Sequence, residues 1–185
     1  PGANDMKRED RILSHLWRVF PLAPRSLHYS PKKEILGNHF MIMEYRAGLT
    51  IGGSWPDFLV GHDDIGSALS TMLVDTLVSF HAVKPEDVDL GEFGRPSGFL
   101  SRAVAGWRNR MELSCDEAPP SAGVAVADWL EANQVPDGTP TLLHNDFKLD
   151  NVLLDDATLA PVAVLDWDQA TRGDPLFDLA TLLSY

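Results

Sequence analysis

Between Thr141 and Asp168 the chain reads TLLHNDFKLDNVLLDDATLAPVAVLDWD. His144, Asp146, Lys148 and Asn151 stand in H-x-D-x-K-x-x-N order just after two leucines, and Asp166 follows a second apolar run, Val162 to Leu165. These residue types suit phosphoryl transfer from magnesium-bound ATP. That chemistry needs a carboxylate to take the acceptor's hydroxyl proton, and oxygen ligands that hold magnesium on the phosphates. Asp146, at the end of an expected strand, supplies the first. The side-chain carbonyl of Asn151 and the carboxylate of Asp166 supply the second. Lys148 is placed to neutralise charge on the transferring phosphate, and His144 reads better as a brace for the loop than as a reacting group. Alone, the loop reads more readily as a capped turn whose Asp and Asn satisfy backbone donors. The expected hairpin shifts that balance. Val152 to Leu154, a turn at Asp155 and Asp156, and Val162 to Leu165 fold back to bring Asp166 beside Asn151, a two-ligand magnesium site. Asp168 is then either a supporting acid or a solvated one.

Other elements must carry this segment. Glu9 to Phe20 has apolar residues at helical spacing, and Pro21 ends the pattern. Leu27 to Tyr29 and His39 to Glu44 read as strands joined by a turn at Ser30 to Lys33. Gly48 to Asp64, with four glycines and Pro56, reads as a connector. Ile65 to Val83 is the clearest helix, with Leu69, Leu73, Leu77 and Phe80 on one face. Helices are expected over Phe99 to Met111 and Ser121 to Asn133, with Trp107 and Trp129 anchoring their packing. Asp174 before Pro175 marks one more helix start.

The formal charge is −12, from 27 acidic and 15 basic residues. That balance argues against a nucleic-acid or anionic-membrane partner, which would need clustered Lys and Arg. No run of about 18 apolar residues is present, so no transmembrane helix is expected. Cys115 is the single cysteine, which excludes an intrachain disulfide and suggests a cytoplasmic setting. His62, Asp63 and Asp64 are adjacent, and adjacent loop residues rarely converge on one metal; Asp64 reads as a helix cap. His81 reads as a hydrogen-bonded core histidine. Arg102, Arg108 and Arg110 read as a solvated basic face rather than an anion site.

HNDFKLDN, then VLDWD, then GDPLFDLA resembles the aminoglycoside phosphotransferase family, relatives of protein kinases, and within it the kinase-like proteins associated with acyl-CoA dehydrogenases. The resemblance implies an α+β, protein-kinase-like fold: a partial small lobe over 1–48 and a mostly helical large lobe over 49–185. It implies ATP and Mg2+ as cofactors, Asp146 as catalytic base, and Asn151 and Asp166 as metal ligands. Glu44, Tyr45 and Arg46 would form the hinge whose backbone meets adenine. Glu9 would pair with a nucleotide-binding lysine, and Asp178 would brace the catalytic loop; an exposed helix acid is the alternative for each. The acceptor is expected to be a small hydroxylated molecule, for instance a hydroxyacyl thioester. In the family a glycine-rich turn and a strand lysine precede the Glu9 helix, whereas only eight residues do so here. These 185 residues alone are therefore expected to be inactive or nearly so, a fragment of a longer enzyme. Two other readings stay open: a pseudokinase or binding fragment, and a magnesium-dependent phosphohydrolase built on the same acids.

Overall fold

The computed structural model describes residues 5–59, 61 and 64–185. Helix α1 (Met6–Leu16) starts at Asp5, whose carboxylate accepts from the Arg8 amide at 3.1 Å. Capping of this kind satisfies one of the orphan donors of a first helical turn. The helix buries Glu9, Ile12, Leu13 and Leu16. It ends one turn earlier than the spacing predicts, because the amides of Val19 and Phe20 both turn back onto the Leu16 carbonyl. That turn leaves Val19 exposed and sends Phe20 into the core.

Strands β1 (Ser26–Ser30) and β2 (Phe40–Met43) pair antiparallel with an irregularity between Ser26 and His28. Between them the expected turn extends into a short helix, α2 (Lys33–Leu36), closed by Gly37 at φ 78°. The following segment is not a free connector. Leu49 and Leu154 exchange backbone hydrogen bonds of 2.8 Å in both directions. Gly48 makes this approach possible: a Cβ there would stand 2.5 Å from the Leu154 carbonyl oxygen.

Helix α3 (Ile65–His81) buries Leu69, Leu73, Leu77 and Phe80 as its periodicity predicts, but Asp64 gives it no side-chain cap. His62 and Asp63, the rest of that acidic cluster, lie outside the described residues. Against α3 runs β3 (Thr141–Leu143), buried throughout and paired antiparallel with β6 (Thr171–Gly173). The predicted hairpin is present as β4 (Val152–Leu154) and β5 (Pro161–Val164), with an irregularity at Leu153 and Leu154. Asp155 Oδ1 fixes its turn by accepting from the amides of Ala157 and Thr158 and from the Thr158 hydroxyl. Helix α6 (Leu176–Leu182) is capped by Asp174, which accepts from the Leu176 amide at 2.9 Å.

Trp167 is fully buried at the centre, ringed by Phe20, Phe80 and His144, and its indole donates to the Val164 carbonyl at 2.7 Å. Helices α4 (Phe99–Leu113) and α5 (Ser121–Ala132) pack on each other instead of on this core. Arg108 ties them by binding Asp128 and Glu131. The expectation for Trp107 and Trp129 is corrected: they are 38% and 63% exposed, because the two-helix contact buries little beyond Ala127. No helix among the described residues is long and apolar enough to cross a membrane.

Candidate functional site

Strand β3 delivers the chain into the loop at His144, which is completely buried. Its Nδ1 accepts from the Asp146 amide at 3.3 Å, and its Nε2 lies 2.9 Å from the Leu165 carbonyl. An acceptor on one nitrogen and a donor on the other assign the neutral ring with the proton on Nε2. Burial also pushes its pKa down, opposed by the nearby Asp178 carboxylate. His144 is thus a strut between the loop and the hairpin, with no face open to a reacting group.

Asp178, from the first turn of α6, braces the same loop from beneath. Its fully buried carboxylate accepts from the amides of His144 (2.8 Å) and Asn145 (2.7 Å) and from His81 Nε2 (3.0 Å). Asn145 is held at φ 67°, and its side-chain amide donates to the Gln169 carbonyl. His81 is therefore the hydrogen-bonded core histidine expected. The backbone is locked on both sides of Asn145, so the position of Asp146 is fixed by its neighbours.

Around Asp146 the predicted residues converge. Lys148 Nζ lies 3.1 Å from Asp146 Oδ2, and Asn151 Nδ2 donates to the same oxygen at 3.1 Å and to the Asp146 carbonyl at 2.8 Å. The Tyr185 hydroxyl donates to Asp146 Oδ1 at 3.3 Å, and its ring lies 4.5 Å from Lys148 Nζ. The bond from Lys148 to Asp146 holds the ammonium's pKa up. The Asn151 carbonyl accepts from the Leu165 amide at 2.8 Å, which sets Asp166 next to Asn151 as the hairpin predicts. Asp166 adopts φ 66°, the left-handed region that Asp tolerates better than most residues.

Burial pushes the Asp166 pKa up first; the charge of Asp168, a hydrogen bond with it, and the charge of Asp146 add to that, while Lys148 opposes. Glu9 approaches from α1, buried, and accepts from the Trp167 amide at 3.3 Å. Its pKa is raised by burial above all, and also by Asp166 and Asp168. Neighbouring carboxylates whose mutual repulsion a cation would relieve, with an amide side chain in the same loop, are the donor chemistry that a magnesium ion takes. Asn151 and Asp166 fit that ion. A solvated face for Glu9 is excluded, and no cationic partner for it is found among the described residues.

The residues of 44–46 sit elsewhere. Tyr45 is 88% exposed. The Arg46 guanidinium, given no side-chain role by the sequence, donates to the carbonyls of Pro21, Ala23 and Val162 and to Glu44 Oε2. Glu44 also accepts from the Arg25 amide, and these bonds, that from Arg46 first, hold its carboxyl below the usual range. Both side chains are structural in this arrangement, which leaves the backbone as the part a nucleotide could meet.

A cavity of about 480 Å3 opens beside Lys148. Ile51, Trp55, Leu73, Val74, Leu182 and Tyr185 form much of its wall, and Lys148 and Asp150 are its charged residues among those described.

The sequence model of the phosphotransferase enzyme family, APH, matches residues 1–185. The chain belongs to that family. It is 31% identical over 188 residues to acyl-CoA dehydrogenase family member 11 from Pongo abelii, an alignment covering 97% of this chain and 23% of that protein. The chain thus spans about a quarter of that curated relative. Among solved structures it superposes with a TM-score of 0.80 on a Ralstonia eutropha protein assigned to the aminoglycoside phosphotransferases, at 25% identity over 94% of this chain and 53% of that one. With aminoglycoside phosphotransferase APH(3'')-Id from Streptomyces rimosus, solved in complex with ADP and streptomycin, the TM-score is 0.65 at 19% identity, covering 97% and 66%. The expected kinase-like α+β fold and the affinity to the dehydrogenase-associated branch of the APH family are both borne out. Within this APH chain, Trp167 is the residue that pattern reading missed, and the clamping role of the Arg46 side chain went unforeseen. A tryptophan between two acids in VLDWD was the available signal for the first.

Proposed function

We propose that this chain is the core of an ATP- and magnesium-dependent phosphotransferase that moves the γ-phosphoryl group onto the hydroxyl of a small molecule. The observation that carries the reading is the convergence of Lys148 and Asn151 on one oxygen of Asp146, with Asp166 set beside Asn151. In this reading Asp146 orients the acceptor hydroxyl and takes its proton, a role that needs a carboxylate fixed before the substrate arrives. Lys148 balances the charge that builds on the moving phosphoryl group. Asn151 and Asp166 hold magnesium, which when bound supplies the positive charge that keeps the phosphates in place. The backbone of 44–48 meets the adenine and divides a small lobe, 1–48, from a larger one, 49–185. The ADP in the Streptomyces rimosus enzyme supports a nucleotide in this fold.

The cavity favours an acceptor with a largely apolar skeleton, such as a hydroxyacyl thioester, over a polycation, because Asp150 is the only acid on its described wall. The lone Cys115 fits a cytoplasmic setting. One observation favours a second reading, a binding protein without turnover: buried Glu9 meets no cation among the described residues.

The test is made on the full-length protein and on the 185-residue chain, by calorimetric titration with ATP with and without magnesium, and by ADP formation against an acceptor series. Magnesium-dependent binding is expected to vanish in Asp166→Asn. Acceptor-coupled ADP formation is expected to fall at least about a hundredfold in Asp146→Ala. Coupled turnover that survives Asp146→Ala sinks the assignment of the base. Nucleotide binding without turnover in the full-length protein selects the second reading.

A further inference from the structure

Asp146 has two oxygens with different company. Oδ2 is taken by Lys148 and Asn151, both of which the proposed chemistry uses. Oδ1 is met by Tyr185, a residue to which neither the loop motif nor the hairpin assigns a task. A neutral hydroxyl donating to the free oxygen of the base, beside the cation that faces the phosphate, is the pose an acceptor alcohol must take before it gives up its proton. We infer that the Tyr185 hydroxyl stands in for the acceptor's hydroxyl at Asp146 and keeps water off that oxygen until an acceptor displaces it. The inference rests on the reading of Asp146 as the base.

Two features support a removable placeholder. The Tyr185 side chain has two weak anchors at Asp146 and Lys148: the 3.3 Å hydrogen bond and the contact of the ring with the Lys148 ammonium. Tyr185 also forms part of the wall of the cavity beside Lys148, so a molecule bound there touches the same side chain that contacts Asp146.

The consequence concerns water. With Oδ1 bare, a water molecule can occupy the acceptor's place. Its oxygen would bond to the γ-phosphorus, the bond to the ADP oxygen would break, and one water proton would pass to Asp146, giving ADP and phosphate. A phenol on Oδ1 excludes that water, and an alcohol with more contacts in the cavity replaces the phenol. Tyr185 is thus a positioning residue that acts on the choice of acceptor.

Two measurements on the full-length protein test this. A fluorotyrosine at position 185 reports the contact directly, without turnover: its fluorine resonance should move in Asp146→Ala and again when a hydroxylated acceptor is titrated in. A resonance indifferent to Asp146→Ala overturns the inference whether or not the protein is a kinase. In kinetics, Tyr185→Phe should raise acceptor-independent ATP hydrolysis and lower the acceptor KM, each roughly threefold to tenfold for one exposed hydrogen bond to a charged group, with the change falling on KM and not on kcat. Unchanged hydrolysis, or a KM that rises, would make Tyr185 a passive wall. A moving resonance in a protein that binds Mg-ATP yet never forms ADP refutes the reading of Asp146, and the placeholder falls with it.

Discussion

The buried carboxylate of Asp178 offers the sharpest test of how the loop is held. Replacing it with asparagine preserves shape and removes charge. In the best orientation the new amide oxygen keeps the bonds from His144 N and His81 Nε2, now 2.8 Å and 3.0 Å long, and the new NH2 group faces the Asn145 amide at 2.7 Å. Two bonds then lose charge assistance and one becomes a donor facing a donor. A hydrogen bond to a charged group contributes about 1.5–3 kcal/mol, and a stranded buried donor costs about 1–3 kcal/mol. Relief of the carboxylate's own desolvation offsets part of this. The net expectation for Asp178→Asn is a loss of about 2–4 kcal/mol, or roughly 5–15 °C in melting temperature for a chain of this size. Urea unfolding followed by circular dichroism reads it as a lower midpoint at unchanged slope. A loss below about 0.5 kcal/mol, the ordinary range for an inert surface change, would show that these bonds do not hold the loop.

Two other residues carry expectations of different kinds. Arg46→Ala removes four hydrogen bonds from one half-buried guanidinium and should cost about 2–4 kcal/mol by the same unfolding assay; Arg46→Lys should recover less than half, because an ammonium cannot reproduce the fork. If Arg46→Lys is as stable as wild type, the fork is not what matters. Glu9 has a folded pKa above its ordinary value of 4.5, so the folded state binds the extra proton and stability falls as pH rises from about 4.5 through the raised value. Glu9→Gln cannot ionise, so its stability should depend less on pH over that window and exceed that of wild type at neutral pH. Parallel pH profiles for the two proteins would refute this.

What the sequence made legible was local. The loop and hairpin lie within thirty consecutive residues, and their apolar runs announce strands whose ends must carry the polar groups outward. Helix α3 was equally plain, since one face repeats over four turns. The elements that escaped depend on partners far along the chain. Strand β6, three residues reading TRG, has no alternation of its own and exists because β3 needs a neighbour. Arg46 carried only a backbone role in the sequence reading, and only the tertiary fold brings Pro21, Ala23 and Val162 within reach of its side chain. Trp107 and Trp129 misled because aromatic size suggests burial, while α4 and α5 pack mainly on each other and away from the core. Glu9 left two readings open in the sequence, a paired acid and a solvated helix face, and only the tertiary fold shows that it is buried.

The grip on the hairpin has a mechanical consequence. Arg46 holds Val162 on one strand, and Leu49 holds Leu154 on the other, so only two residues separate two clamps on a single β-ribbon. A torque applied to the chain at 46–49 is therefore transmitted to that ribbon, and with it to Asn151 at its entrance and Asp166 at its exit. The ribbon behaves as a cog keyed to the segment that crosses it: tilting one side re-aims the two proposed oxygen donors together.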